Sequence, residues 1–241
     1  MLLNYLQNGL VRRYRLFIEK KAKKSIQNNL GLWKELENYL KKTGSTGCSF
    51  SDYLILYSYI RKYKPIEVLE CSTGVSTIVM AYGMMENEND GGVAGRITSM
   101  EESIEYYTAA RQLIPPQLSK YIDMVQSQKV EGHHYFFRGV KYKSVPDREY
   151  DFVFIDGPTT SAPSDGQKTF DFDFIDVVLR SEKPVSAIVD CRLSTCYVLG
   201  KVLGKDKIKY DKIRSVGYIG PCTKFDIKKT NDIIRSYKDL R

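Results

Sequence analysis

The sequence of 241 residues lacks the cysteine spacing that defines zinc ribbons and disulfide frameworks. Its five cysteines, none of which forms a C-x-x-C pair, are Cys48, Cys71, Cys191, Cys196 and Cys222. Irregularly spaced thiols are typical of a reducing compartment. We therefore predict a cytoplasmic protein without structural disulfides.

Long apolar runs are missing as well. No stretch approaches the roughly 20 apolar residues of a membrane-spanning helix. The first 15 residues place their charges after a short apolar stretch, which is unlike a secretory signal. The sequence therefore predicts a soluble chain whose membrane contact, if there is any, is at the surface.

Positive charge is scarce in the middle of the chain although the net charge is +8. Residues 1–64 carry 13 basic and 4 acidic side chains, residues 65–200 carry 12 and 20, and residues 201–241 carry 12 and 5. A protein that binds long nucleic acids at its active site is expected to be basic there, because phosphate neutralisation supplies most of that affinity. Nucleic acid is therefore a disfavoured partner, although the basic ends permit it.

The first 64 residues have a helical pattern and predict a basic N-terminal extension. Leu2, Leu6, Leu10, Tyr14 and Phe17 recur every three or four residues among arginines and lysines, which indicates an amphipathic helix. Its apolar stripe would most commonly pack on the protein core, and the alternative is contact with an anionic membrane surface. Two further helices are predicted at about 30–41 and 52–63. The last residues, 229–241, are predicted to be a basic tail.

Residues 65–228 alternate short apolar runs with helical stretches, which is typical of βαβ units and a parallel sheet. The predicted strands are 66–70, 96–100, 122–126, 151–156 and 185–190. Two β-rich runs without an intervening helix follow near the end of the chain. They predict an antiparallel pair of strands at the end of the sheet. The expected fold is an α/β sandwich with a mostly parallel seven-stranded sheet and a C-terminal antiparallel strand.

Four of these five strands end at carboxylates: Glu70, Glu101 beside Glu102, Asp156 and Asp190. Ligands of open parallel sheets bind beyond the carboxyl ends of the strands. Any one of these side chains could be a solvated or capping group. Their joint occurrence at successive strand ends predicts a binding site.

The turn after the first strand consists of small residues. Gly74, with Ser72 and Ser76 on either side, would let a ligand approach the backbone closely. Compared with the dinucleotide fingerprint G-x-G-x-x-G, this turn has one of the three glycines, which counts against NAD.

Glu70 followed by this turn resembles motif I of class I S-adenosylmethionine-dependent methyltransferases. Residues 150–158, YDFVFIDGP, resemble a block found in small-molecule and glycan O-methyltransferases. The resemblance implies a Rossmann-like methyltransferase fold with S-adenosylmethionine as the cofactor. It also implies that Glu70 contacts the methionine end of the cofactor, that Ser127 or Gln128 lies near the adenine, and that Asp156 lies beside the transferred methyl group.

Glu101 is the predicted ribose ligand, because the two oxygens of one carboxylate can accept bonds from two neighbouring hydroxyls. Glu102 is the competing choice. Ser72, Gly74 and Ser76 complete the predicted cofactor site.

The candidate bases for removing a proton from an acceptor are Asp156 and Asp190, followed by His133 and His134. Arg192 would either orient the acceptor or form an ordinary salt bridge. Metal-dependent relatives have an Asp-Asn pair where this chain has Asp190-Cys191, so the requirement for a divalent metal stays open.

The main hypothesis is O-methylation of a small molecule or a sugar. An RNA methyltransferase is the first alternative, disfavoured by the acidic centre of the chain and by the absence of an NPPY-type tetrapeptide. The second alternative is a non-catalytic module that binds the cofactor or a partner. The oligomeric state is not predicted.

Overall fold

Three helices precede the first strand, as predicted. In the computed structural model, which describes residues 2–43, 48–229 and 232–233, they are α1 (Leu2–Asn28), α2 (Leu30–Lys42) and α3 (Phe50–Tyr63). Asn29 caps α2 by accepting a hydrogen bond from the Leu32 amide, and a capping box of Ser49 and Asp52 begins α3. Among the described residues, no helix combines the length and apolarity needed to cross a bilayer.

The remainder of the chain alternates strands and helices. These elements are β1 (Glu67–Cys71), α4 (Val75–Asn89), β2 (Arg96–Glu101), α5 (Ile104–Leu113), β3 (Ile122–Gln126), β4 (Lys129–His134), β5 (Phe137–Tyr142), β6 (Phe152–Ile155), β7 (Phe170–Asp171), α6 (Asp173–Arg180), β8 (Val185–Asp190), α7 (Leu193–Leu203), β9 (Ile208–Asp211) and β10 (Val216–Cys222).

The main sheet has seven strands in the order β3-β2-β1-β6-β8-β10-β9. Strand β10 runs antiparallel to both of its neighbours, and the other pairs in the sheet are parallel. This topology confirms the predicted Rossmann-like sheet with a late antiparallel strand. The strand order reverses between β1 and β6, so a ligand crevice is expected beyond the ends of these two strands.

The N-terminal helices share a core with the sheet. Ile26 of α1, Leu36 of α2 and Leu56 of α3 are buried in the same cluster as Val79 of α4 and Phe152 of β6. The opposite face of the sheet packs against α6 and α7 in a second cluster. Helices α1 to α3 are therefore one of the layers that cover the sheet, and the domain limits at residues 64 and 228 stay predictions.

The apolar stripe predicted for α1 does not pack on the core within the described side chains. Tyr14 and Phe17 are exposed, while the buried residues of this helix are Ala22 and Ile26. The side chains of Leu2, Leu6 and Leu10 lie outside the described residues. The C-terminal half of α1 is thus attached through buried side chains. Further toward the N-terminus, Arg15 donates hydrogen bonds to the carbonyl oxygen of Lys212 (2.9 Å) and to Ser215 Oγ (3.0 Å).

A second, three-stranded sheet of β4, β5 and β7 was not predicted. His133 and His134 end β4 and lead into its hairpin with β5, so they lie in a regular strand. The polar sequence of β4 gives little alternation of apolar and polar residues, and this is why the strand was missed.

Contacts with other elements set the limits of two helices. Helix α4 continues through residues 86–89, where Glu86 and Asn87 bond to Tyr57 and to the carbonyl of Ile60 in α3. Helix α6 begins at Asp173, because residues 170–171 pair with β5.

Candidate active site

The turn after β1 is the first part of the candidate site. Ser72 has a φ of 106° and its amide donates to the carbonyl of Met100 in β2, 3.0 Å away. Gly74 is the N-cap residue of α4, and its amide donates to Thr77 Oγ1. A Cβ added to Gly74 would meet no atom within 4 Å, so the space above this turn is open to a ligand.

Glu70 lies underneath the turn and is completely buried. Its carboxylate accepts hydrogen bonds from the hydroxyls of Ser76 (2.6 Å), Thr77 (2.6 Å) and Ser99 (2.8 Å). Burial raises the pKa of Glu70 to about 7, and the three hydroxyl donors oppose this rise. In this arrangement Glu70 and Ser76 bind each other, so they shape the turn instead of facing the open space.

A cleft of about 480 Å³, here called the β1–β2 cleft, lies above the turn. It is lined by Ser72, Gly74 and Glu101, with Tyr39 at the end of α2 on its wall. The contribution of α2 was not anticipated from the sequence, because it comes from a helix that precedes the whole sheet.

Glu101 rather than Glu102 lies in the β1–β2 cleft. Its Oε1 accepts the amide of Ser103 at 2.9 Å, and burial raises the pKa of its carboxyl group. Glu102 turns away, since its Oε1 accepts the amide of Thr159 and its Oε2 lies 3.5 Å from Lys129 Nζ. Of the two carboxylates predicted for a ribose, only Glu101 is placed to meet a ligand.

Ser127 is buried and supports the end of β3. Its hydroxyl accepts the amide of Ser144, and its own amide donates to the carbonyl of Glu101. It is not among the residues that line the β1–β2 cleft, so its predicted contact with an adenine stays a prediction.

Asp156 follows β6 and touches the turn after β1 through its neighbour Gly157. A Cβ at Gly157 would lie 2.9 Å from the carbonyl oxygen of Cys71 and 3.0 Å from Cβ of Ser72. Such close contact requires glycine here and brings Asp156 to the edge of the β1–β2 cleft.

On its other side, Asp156 meets Asp190 and Cys48. The Cys48 thiol donates to Asp156 Oδ2 at 3.6 Å, and one ligand atom from each of these three residues lies within 4.8 Å of the others. Burial, followed by the charge of Asp190, raises the pKa of Asp156 to about 7, and Arg192 opposes this. The two carboxylates predicted as catalytic are therefore brought together.

A second cleft of about 460 Å³, the β8 cleft, opens beside Asp190. Asp52 and Cys48 also line it, and α1 contributes Arg15 and Glu19. Asp190 Oδ1 and Asp52 Oδ1 are buried and have no hydrogen-bond partner among the described residues. Because unpaired buried oxygens are costly, these two atoms mark a place where a bound molecule would donate hydrogen bonds.

Arg192 positions the Asp156 segment. Its guanidinium donates to the carbonyl oxygens of Asp156 and Pro158 and to Asp171 Oδ1, which is 2.9 Å away. Asp171 is buried and also accepts the hydroxyl of Thr195. The salt-bridge interpretation of Arg192 is therefore confirmed.

The cluster of Cys48, Asp156 and Asp190 fits a hard divalent cation poorly. Such a cation takes six or more oxygen ligands, and this group offers two carboxylates and a thiol. Burial and the neighbouring carboxylates raise the pKa of Cys48, which keeps the thiol protonated. Arg192 lies 3.7 Å from Asp156 Oδ1 and supplies positive charge itself. These three residues therefore do not make a suitable site for such a cation.

His133 and His134 line neither cleft. Burial lowers the pKa of His134, whose Nε2 is buried without a hydrogen-bond partner among the described residues. Nothing in their position connects them to Asp156.

No protein-family model matches the chain, and no curated protein does either. Among solved structures, an O-methyltransferase from Bacillus cereus in complex with SAH is 18% identical, with a TM-score of 0.44 over 86% of this chain and 78% of that chain. A methyltransferase-like protein from Silicibacter pomeroyi is 12% identical, with a TM-score of 0.48 over 78% of this chain and 93% of that one.

A chain from Klebsiella pneumoniae, provisionally assigned as an O-methyltransferase, is 18% identical, with a TM-score of 0.42 over 65% of this chain. The present chain spans 63% of its length. Similarity at this level concerns the fold alone.

Proposed function

We propose that this protein transfers a methyl group from S-adenosylmethionine to a hydroxyl oxygen of a small molecule or a sugar. The observation that carries the proposal is the place of Asp156. It lies between the β1–β2 cleft, which it reaches through Gly157 and Ser72, and the β8 cleft, which it reaches through Asp190. A donor in the first cleft and an acceptor in the second would meet at this side chain.

The β1–β2 cleft has features that suit the proposed cofactor. The open backbone at Gly74 leaves room for the methionine end, and Glu101 offers carboxylate oxygens to the two ribose hydroxyls. Glu70 holds Ser76 and Thr77 at the start of α4, so it acts as a positioning residue for the turn. Ser127 would support the adenine side through its bond to the Glu101 carbonyl.

When bound, S-adenosylmethionine supplies a methyl group on a sulfonium, which is transferred in line to the attacking oxygen. The task of the protein is to align the acceptor and to take up its proton. With a pKa of about 7, Asp156 is partly ionised at neutral pH and suits a general base. Arg192 fixes the Asp156 backbone, and Asp190 holds the acceptor in place.

The β8 cleft favours an acceptor with several hydroxyl groups. Asp52 Oδ1 and Asp190 Oδ1 both need donors, and hydroxyls provide them without introducing a charge. Glu19 adds a further carboxylate to the wall. Arg15 and Arg214 also line this cleft, so the RNA methyltransferase is the weaker alternative because of the acidic middle of the chain and not because of the cleft alone.

The first experiment is a calorimetric titration of the protein with S-adenosylmethionine, and with NAD as the control ligand. We expect binding of the first and no binding of the second. The second experiment measures release of S-adenosylhomocysteine with a panel of sugars and other polyhydroxylated compounds. No binding of S-adenosylmethionine would refute the proposal.

Binding with no turnover on any acceptor would favour the non-catalytic module. Asp156→Asn separates the roles once an acceptor is found. We expect methyl transfer to fall by about 10²-fold or more while the affinity for S-adenosylmethionine stays within a few-fold. Unchanged turnover would remove Asp156 from the mechanism.

A further inference from the structure

Helix α1 consists of two halves with different surroundings. In the C-terminal half, Ala22 and Ile26 are buried, and the Glu19 carboxylate accepts the amides of Phe50 and Ser51 at 2.7 and 3.0 Å. These contacts attach that half to α3. The half is therefore a fixed part of the protein.

The preceding residues, 11–17, are all exposed, and Arg15 among them donates hydrogen bonds to Lys212 and Ser215. They include four large apolar side chains: Val11 (41% exposed), Tyr14 (51%), Leu16 (56%) and Phe17 (60%). Helices that stay in water do not usually display so much apolar surface in two turns. This segment, residues 11–17, is called the α1 arm below.

Basic residues surround these apolar groups. Arg12, Arg13, Lys20, Lys21 and Lys24 are exposed, and none of them forms an ion pair with another described residue. The nearest carboxylate on the helix, Glu19, is occupied by α3. The α1 arm and the turn after it thus carry uncompensated positive charge next to exposed aromatic rings.

A groove of about 410 Å³ runs along this surface between α1 and α3. Tyr14, Phe17 and Lys21 form one wall, and Leu54 and Ile55 of α3 contribute to the other. The rings of Tyr14 and Phe17 stack with their centroids 6.3 Å apart. The surface is therefore a continuous apolar strip with a basic border.

We propose that the α1 arm lies on an anionic lipid bilayer and attaches the protein to its surface. Helices that bind at the interface bury aromatic and aliphatic side chains at the acyl boundary while lysines and arginines contact anionic headgroups. The α1 arm offers both parts. A second copy of this chain would be repelled, because its α1 arm carries the same positive charge. A nucleic acid would leave the apolar side chains of Val11, Leu16 and Phe17 without an apolar surface to contact.

The attachment brings the β8 cleft to the bilayer, because Arg15 and Leu16 of the α1 arm line that cleft. The lipid contact itself does not depend on the proposed methyl transfer, and the cofactor titration described above tests the latter separately.

The test is sedimentation of the full chain with vesicles of phosphatidylcholine, with and without phosphatidylglycerol. We expect the protein to pellet with the anionic vesicles and to be released by added salt. The variant Arg12→Glu/Arg13→Glu should bind them at least about tenfold more weakly, since each basic residue near such a surface contributes roughly 1 kcal/mol. Tyr14→Ser/Phe17→Ser should also weaken binding, with less dependence on salt.

The matched control is Lys34→Glu/Lys143→Glu, which makes the same change of charge at two exposed lysines outside α1. It should retain binding to within a few-fold. Equal losses in the charge-reversal variant and its control would overturn the proposal, as would no binding of the parent protein. A dimer that Tyr14→Ser/Phe17→Ser dissociates, or preferential binding of an RNA oligomer, would assign the surface to another partner.

Discussion

Replacing Glu101 tests the cofactor site without any knowledge of the acceptor. Its carboxylate is the acidic group that lines the β1–β2 cleft at the end of β2, and Oε1 is already bonded to the amide of Ser103. A ribose would donate two hydroxyls to this carboxylate, one of them to the oxygen shared with Ser103. Glu101→Ala removes both bonds.

The size of the effect follows from these contacts. A hydrogen bond to a charged group contributes about 1.5 to 3 kcal/mol, and the oxygen shared with Ser103 is expected to contribute less. The expected loss is about 2 to 3 kcal/mol, or a thirty- to hundredfold rise in the Kd for S-adenosylmethionine. Glu101→Gln keeps one acceptor oxygen and should cost roughly tenfold.

Isothermal titration calorimetry at a fixed pH measures these affinities, and thermal melting of each variant shows whether it is folded. The control is Glu102→Gln, because Glu102 bonds to Thr159 and Lys129 outside the cleft. It should bind within about threefold of the parent protein. If Glu102→Gln loses affinity while Glu101→Ala keeps it, the assignment at the end of β2 is refuted.

Three further predictions concern Asp156, Glu70 and Arg192. Methyl transfer should rise with pH through about 7, the pKa of Asp156, because the base must be ionised, and a pH profile of Asp156→Asn that keeps this rise would exclude the assignment. The raised pKa of Glu70, about 7 against 4.5, gives stability that is present below about pH 4.5 and is lost as the pH rises through 7. The free energy of unfolding, measured in urea at several pH values, should therefore fall less between pH 4.5 and 7 in Glu70→Gln than in the parent protein. The difference should be up to about 3 kcal/mol. Arg192→Lys cannot bond Asp156, Pro158 and Asp171 together, so turnover should fall more than cofactor affinity, and equal losses in the two would contradict a role in positioning Asp156.

The parallel strands and the carboxylates at their ends could be predicted because both depend on local sequence. Short apolar runs between helices define βαβ units, and the carboxyl ends of such strands meet at one edge of the sheet. Asp156 and Asp190 were therefore expected to lie together, and the structure brings them into one cluster with Cys48.

The other members of the site could not be predicted in this way. Cys48 is 108 residues from Asp156, and Asp52 and Tyr39 belong to helices that precede the sheet. No periodic pattern relates such distant positions. The hydrogen-bond partners of Glu70 could not be predicted either. Glu70 is the penultimate residue of β1, and a shift of one residue turns a strand side chain to the opposite face.

The position of β1 has a consequence for how the chain folds during synthesis. Its neighbours are β2, which follows soon after it, and β6, which is synthesised much later. The amide of Glu67 at the start of β1 bonds to Asp151, 84 residues further along the chain. Until that segment has left the ribosome, Val68 and Leu69 have no partner on one side, so an N-terminal fragment presents an unpaired apolar strand edge. Contacts between such distant residues slow folding and expose the nascent chain to aggregation. The pairing of β1 therefore stays incomplete until β6 has been synthesised.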